Sequence, residues 1–235
     1  MHVCLSCRRK YHKGKNSCIC KNGTGSGGMM RRTREKAEQT RLALLESAVR
    51  LFAAKGVTVT TLNEIASDAG VTRGAIYWHF NDKGDIIRAI WQTYASPRLL
   101  PLLERIGQLS PENPVQDFEE IVRDMLALVV GDADVGLAVR ILLHNVETID
   151  CNIQIRHFFV EIRENFLLAL TQAFSVIKAR GALRQAIAPE FAARGFLIFF
   201  TGLLEQHFLK SGGLSLQEHA PAFIDAYLYG VLSEG

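Results

Sequence analysis

The chain has no long apolar run, no acid in its first 30 residues and a single cysteine after position 20. Each absence excludes something. The most apolar stretch, residues 195–204, is bracketed by Arg194 and Glu205 and is too short to cross a bilayer, so it reads as a buried or interface helix and no membrane partner is expected. The N-terminus lacks the apolar core and small-residue cleavage site of a secretory signal, and a cytoplasmic location is the expectation. There is no G-x-x-x-x-G-K, no H-E-x-x-H and no G-x-S-x-G, and the lone body cysteine, Cys151, has no catalytic partner. An enzyme is therefore not expected, and no cofactor is called for. Gly23, Gly25 and Gly28 nominally spell G-x-G-x-x-G, but no strand precedes them and the stretch reads as a linker.

What is present is a globular composition: 235 residues, 48% hydrophobic and 22% charged, enough for one ordinary core or two small ones. The net charge of +3 hides an asymmetry. Residues 1–30 carry six Lys/Arg and no acid, residues 31–94 carry ten against seven, and residues 95–235 carry eleven against seventeen. A basic N-terminal side on an acidic body is an oriented footprint for a polyanion.

Residues 60–80, TTLNEIASDAGVTRGAIYWHF, organise the rest. Leu62, Ile65, Ala66 and Ala69 form the stripe of one helical face, Thr61 and Glu64 form a capping box, and Gly70 ends the segment. Thr72 can cap a second helix running to about His79. Val71, Ala75, Ile76 and Phe80 can turn inward, which leaves Arg73, Gly74, Tyr77 and Trp78 outward. Such a face suits a duplex. Arginine can fork onto a guanine edge, glycine lets the backbone approach, and the two aromatics offer polar hydrogens to phosphates. Helix, glycine turn and second helix is the helix-turn-helix layout, whose second helix enters the major groove. The candidate DNA-binding set is Thr61, Thr72, Arg73, Gly74, Tyr77, Trp78, His79 and Lys83.

The runs AGVTRGAIYWHFNDKGDI and LLESAVRLFAAKGVTVTTLNEIA resemble the DNA-binding domain of the TetR/AcrR family of bacterial repressors, from about Arg34 to Tyr94. The resemblance implies an all-α protein with a three-helix reading head at residues 31–82 and a helical ligand-binding and dimerisation domain at 83–235. It also implies that the helix after the head transmits the ligand signal.

Before the head, residues 1–30 read as a basic leader. Cys4, Cys7, Cys18 and Cys20 are a candidate zinc set whose second pair is one residue too tight for the usual spacing, and a disordered basic tail, an expression leader or a stretch upstream of the true start competes with it. No metal site is assigned. The sequence RRTREK at 31–36 either continues the first helix or trails as a basic arm. That helix is expected from about Glu35 to Lys55, with Leu42, Leu45, Ala48, Val49 and Phe52 toward the head. Asn81 or Asp82 can cap the next helix, with Lys83 at its start placed to reach a phosphate, and Pro97 and Pro101 are expected to interrupt or bend the path.

Beyond this the sequence reads as helices throughout, roughly nine in all and no strand. Starts are expected at Asn113-Pro114, at Asp134 for a helix to about Thr148, at Asn152, at Pro189 and at Ser215. Residues 134–180 combine phenylalanines with polar groups, as a small-molecule pocket requires. The candidate pocket residues are Trp91, His144, Glu147, Gln154, Phe158, Phe166 and Phe174. The last two helices are more apolar than one bundle needs. By resemblance they pair across a two-fold axis, and Phe196, Phe200, Leu203, Phe223 and Tyr227 are the candidate interface. A homodimer would match a palindromic DNA operator. The functional expectation is a repressor released by a small hydrophobic ligand, by resemblance one controlling a multidrug efflux operon. The alternative is a DNA-bound scaffold whose C-terminal domain binds another protein and has no pocket.

Overall fold

The computed structural model describes residues 26–144, 153–209 and 215–233. The four N-terminal cysteines, Cys151 and Glu147 lie outside the described residues, as does the side chain of Gln154. The chain divides into two compact units, Met1–Glu38 and Gln39–Gly235. The core, the candidate interface and the cavities described below all lie in the second.

Helix α1 is Ser26–Lys55, not about Glu35 to Lys55. It takes in the last residues of the glycine-rich stretch, because the sequence MMRRTREK that follows holds good helix formers and no proline, so nothing stops the helix from propagating backward. Its buried stripe is Leu44, Leu45, Ala48 and Phe52. Leu42, expected inward, is 37% exposed. Ser47 takes a buried place on this face and donates its hydroxyl to Ile65 O at 3.0 Å. Gly56, at φ +87°, ends the helix.

Helices α2 (Leu62–Asp68) and α3 (Arg73–His79) form the predicted pair. The capping box is made in both directions, with Glu64 N donating to Thr61 Oγ1 and Thr61 N to the Glu64 carboxylate. Gly70 adopts φ +68°, and Val71 N–H reaches back to Ala66 O across the turn. Thr72 accepts from Ala75 N and starts α3. Ile65, Ala66, Ile76 and Phe80 are buried in the core that also takes the α1 stripe.

Asp82 caps α4 (Lys83–Ile90) by accepting from Asp85 N at 2.9 Å, while Asn81 donates to the Asp85 carboxylate instead. The prolines do not interrupt the path. A π turn, Trp91–Ala95, joins α4 to α5 (Ser96–Gly107), and Ser96 N–H reaches five residues back to Trp91 O. In a regular α-helix the Pro97 ring would meet the carbonyl of Thr93, and the wider turn falls immediately before it.

The remainder packs helix on helix: α6 (Pro114–Gly131), α7 (Ala133–His144), α8 (Ile153–Ala179), α9 (Pro189–Phe208) and α10 (Leu216–Val231). Asn113 precedes α6 but its side chain makes no cap bond. Asp132, not Asp134, caps α7, accepting from Asp134 N and Val135 N at 3.1 and 3.0 Å. Asp134 lies one residue inside the helix, where its own N–H needs the acceptor. Ser215 caps α10 as expected. Among the described residues all regular elements are helical, and the one β feature is a bridge between Leu183 and Leu232. Lys178 closes the turn after α8 by donating to the carbonyls of Arg184, Gln185 and Ile187. Phe118 packs at the centre of the body against Phe174, tilted at 5.2 Å between centroids, and against Phe196, edge to face at 5.0 Å, and one continuous apolar cluster runs from Leu44 to Leu228.

Candidate nucleic-acid interface and ligand cavities

On α3 the expected outward face is open to solvent. Trp78 is 73% exposed and meets His79 edge-on at 4.5 Å, and the Arg73 guanidinium sits 5.7 Å from the Tyr77 ring. A Cβ at Gly74 would have only Thr72 Oγ1 within 4 Å, at 3.9 Å, so glycine there keeps the backbone uncovered and relieves no internal crowding. Thr72 spends its oxygen on the cap. Thr61 is engaged on both sides, its hydroxyl donating to Glu64 Oε2 at 2.9 Å while accepting from Glu64 N.

Electrostatics reinforce this scaffold. Lys55 donates to Glu64 Oε1 at 2.6 Å. That bond first, then those from the Thr61 N–H and hydroxyl, pulls the Glu64 carboxyl down to about 2. Lys83 is committed in a way its sequence position does not reveal: its ammonium donates to Val57 O at 2.9 Å and Thr58 O at 2.8 Å, tying the start of α4 to the turn that follows α1. One N–H remains for a phosphate.

Two cavities open in the body, separated by Trp91, Ile162 and Phe166, which line both. One, about 340 Å³, is apolar. Met125 and Val129 of α6, Val139 and Leu142 of α7, Phe159 of α8 and Leu197 of α9 wall it, and Arg163 and Glu205 are its charged lining. The other, about 450 Å³, is a cleft between α8 and the run from α4 to α5, with Phe158 in its floor. Of the expected pocket residues the structure thus gathers Trp91, Phe158 and Phe166. Phe174 does not join them. It is fully buried between Phe118 of α6 and Phe196 of α9, which leave it no open space. His144 is exposed at the end of α7, 6.3 Å from the Phe208 ring, and lines neither cavity. The walls from α6 and α7 carried no sequence signal, because a leucine or valine on a buried face looks the same whether its neighbour is a side chain or a void.

The candidate interface residues also fall differently. Phe196, Phe200 and Leu203 are buried within the single chain, and Phe223 and Tyr227 are half-buried. The Tyr227 hydroxyl donates to Ala192 O at 2.7 Å, and burial pushes its pKa up to about 12. Phe196 meets Tyr227 across the seam between α9 and α10, 5.4 Å between centroids, where Gly195 lets Tyr227 approach so closely that a Cβ would lie 2.8 Å from its oxygen, and Phe200 lines the apolar cavity. The apolar surface left outward on the two helices is Phe191 (72% exposed), Ile198 (65%) and Tyr229 (73%). The 3.6-residue pattern marks these helices as rich in apolar residues on more than one side, but not which side its own chain covers.

Among the described residues no helix is long and apolar enough to cross a membrane. Residues 44–90 match the family described as bacterial regulatory proteins, tetR family. The chain is 31% identical over 205 residues to the HTH-type transcriptional regulator TtgR of Pseudomonas putida, a match covering 85% of this chain and 95% of that one. It is 39% identical over 126 residues to the HTH-type transcriptional regulator AcrR of Shigella flexneri, covering 51% and 55%. In fold it is similar to NalD, the secondary repressor of the MexAB-OprM multidrug efflux pump in Pseudomonas aeruginosa, with a TM-score of 0.72 at 24% identity over 86% of this chain and 100% of that one. It is also similar to SmeT in its triclosan complex, with a TM-score of 0.67 at 24% identity over 84% and 93%.

Proposed function

The chain belongs to the tetR family of bacterial regulatory proteins, and on that premise we propose that it is a transcriptional repressor, acting in the cytoplasm, that binds a palindromic operator as a homodimer and leaves it when a small hydrophobic compound fills the apolar cavity. The observation that carries this reading is the position of Trp91. It walls the cavity and directly follows α4, the helix that Asp82 and Lys83 fasten to the reading head.

Arg73 reads a base edge, Gly74 admits the backbone, and Tyr77, Trp78 and the free N–H of Lys83 meet phosphates. Residues 31–82 act as the head and 83–235 as the ligand and dimer domain, with Phe191, Ile198 and Tyr229 the surface offered to the second copy. A dimer that sets two heads at one spacing binds tightly only when both fit their half-sites, so a ligand need only favour another spacing. NalD is a repressor of a multidrug efflux pump, and an efflux operon is the proposed target here.

The test is operator binding by fluorescence anisotropy across apolar dyes and antibiotics, repeated with the cavity-filling variants Val139→Trp and Met125→Trp. Coupling of about 1–3 kcal/mol predicts a drop in operator affinity of about 5- to 150-fold at saturation. If no compound altered affinity and neither variant mattered, a scaffold with a protein partner would be the better reading.

A further inference from the structure

The apolar cavity is not the only concave site, and its neighbour has a different chemistry. On α8, His157, Glu161 and Asn165 recur at intervals of four, which places them along one ridge of the helix. Facing them, Arg88, Gln92 and Ser96 recur at the same interval along α4, the π turn and the start of α5. The two polar rows flank a floor that includes Trp91, Phe158 and Phe166. The Arg88 guanidinium lies over the Phe158 ring, 5.5 Å from its centroid, so the cation borders the aromatic floor. Among the described residues no hydrogen bond or ion pair engages the side chains of Gln92, His157, Glu161 or Asn165.

We propose that this cleft is a second small-molecule site, one that takes flat aromatic compounds bearing hydrogen-bonding groups along both long edges. At about 450 Å³ it has the volume of a ligand pocket. Aromatic faces at the floor favour a planar ring system over a flexible chain. Amides, a carboxylate and an imidazole on the rims satisfy donors and acceptors alike, and the Arg88 guanidinium, paired with Asp85 at 3.9 Å, leaves no uncompensated positive charge to demand an anionic ligand. An unsubstituted hydrocarbon would leave the rims unpaired, and it belongs in the apolar cavity. The wall of Trp91, Ile162 and Phe166 keeps the two occupants apart.

The test uses 2,6-dihydroxyanthraquinone for the cleft and N-phenyl-1-naphthylamine for the apolar cavity. The chain has two tryptophans, so the Trp78→Phe variant leaves Trp91 as the only reporter. The quinone should quench it saturably with one molecule per chain. Gln92→Ala with Asn165→Ala, both at exposed positions, should weaken the quinone about tenfold and leave the naphthylamine within about twofold. Leu142→Trp, in the apolar cavity, should do the reverse. Asn165→Trp, which fills the cleft without touching the other chamber, should abolish quinone binding. Mutual competition between the two probes, or quinone binding indifferent to the Gln92 and Asn165 substitutions, would overturn the proposal. Binding is read on the free protein, so a failure of operator release would count against the repressor reading and not against this site.

Discussion

Gly84 lies in the first turn of α4, and a Cβ placed there would stand 2.2 Å from Ile155 Cγ1 and 2.5 Å from Cδ1. Carbon atoms in good contact sit about 3.5–4.0 Å apart, so Gly84→Ala requires the buried isoleucine of α8 to retreat by more than about 1 Å. Overpacking of that kind costs about 1–3 kcal/mol. Ile155→Ala alone removes a fully buried side chain and should cost about 2–5 kcal/mol. In the double variant the new methyl enters the space the isoleucine vacates, so the combined loss should fall short of the sum by about 1–3 kcal/mol. Urea unfolding of the four proteins, compared at equal slope, measures this. Operator affinity should follow, because the contact joins α8 to the helix that continues from the reading head. Additivity within about 0.5 kcal/mol would refute the claim that the two residues share one space.

Arg73→Ala should lose about 1–3 kcal/mol of discrimination between operator and random duplex; equal weakening on both would remove it from the bases. Lys83→Ala should cost about 1–2 kcal/mol of stability, since two ammonium bonds to carbonyls go with it, and should weaken all duplexes alike with a salt slope flatter by about one unit. Unchanged thermal stability in that variant would leave only the phosphate role. Asp132→Ala should destabilise by about 1 kcal/mol through the lost cap of α7, with the Arg98 ion pair lost beside it, while Asp132→Asn should keep the cap and Asp134→Ala should be close to neutral; chemical denaturation of the three decides which aspartate caps. The Glu64 carboxyl is held at about 2 against a usual 4.5, so its contribution is complete above about pH 4.5 and is lost as the pH falls toward 2. Glu64→Gln should therefore flatten the acid limb of the stability curve in that window, and an unchanged limb would mean the carboxyl's partners are not made in solution.

The reading head was legible residue by residue because its signals are local: a threonine three before a glutamate, a glycine at a turn and a threonine before a short helix all act within one turn of backbone. Lys83 escaped the same reading. Its partners are the carbonyls of Val57 and Thr58, about 25 residues away in sequence, and a basic residue at a helix start looks identical whether it faces a phosphate or a neighbouring loop. The body was legible as helices but not as cavities. Phe174 and Phe166 sit eight residues apart on α8, one packed between two rings and one facing open space, and only the helices opposite distinguish them. Phe196 reads as an interface residue in sequence for the same reason, since the partners that bury it, Phe118, Phe174 and Tyr227, come from three other helices.

The π turn between α4 and α5 also sets a rotational phase. At about 100° per residue, a regular α-helix would put the middle of the α5 stripe, Leu99, Leu103 and Ile106, about 180° from the middle of the α4 stripe, Ile86, Ile87 and Ile90. Absorbing one residue in the wide turn brings the two within about 80°, close enough for a single core to take both. The helix thus tolerates changes of length in one direction only. A chain one residue shorter at this turn would keep both stripes inward but bring the Pro97 ring against the carbonyl four residues before it, at about 3 kcal/mol, whereas a chain one residue longer would swing the whole second stripe out to solvent. Single-residue deletion and insertion at Thr93, compared by cooperative unfolding, should therefore differ sharply, with the insertion the one that fails to fold.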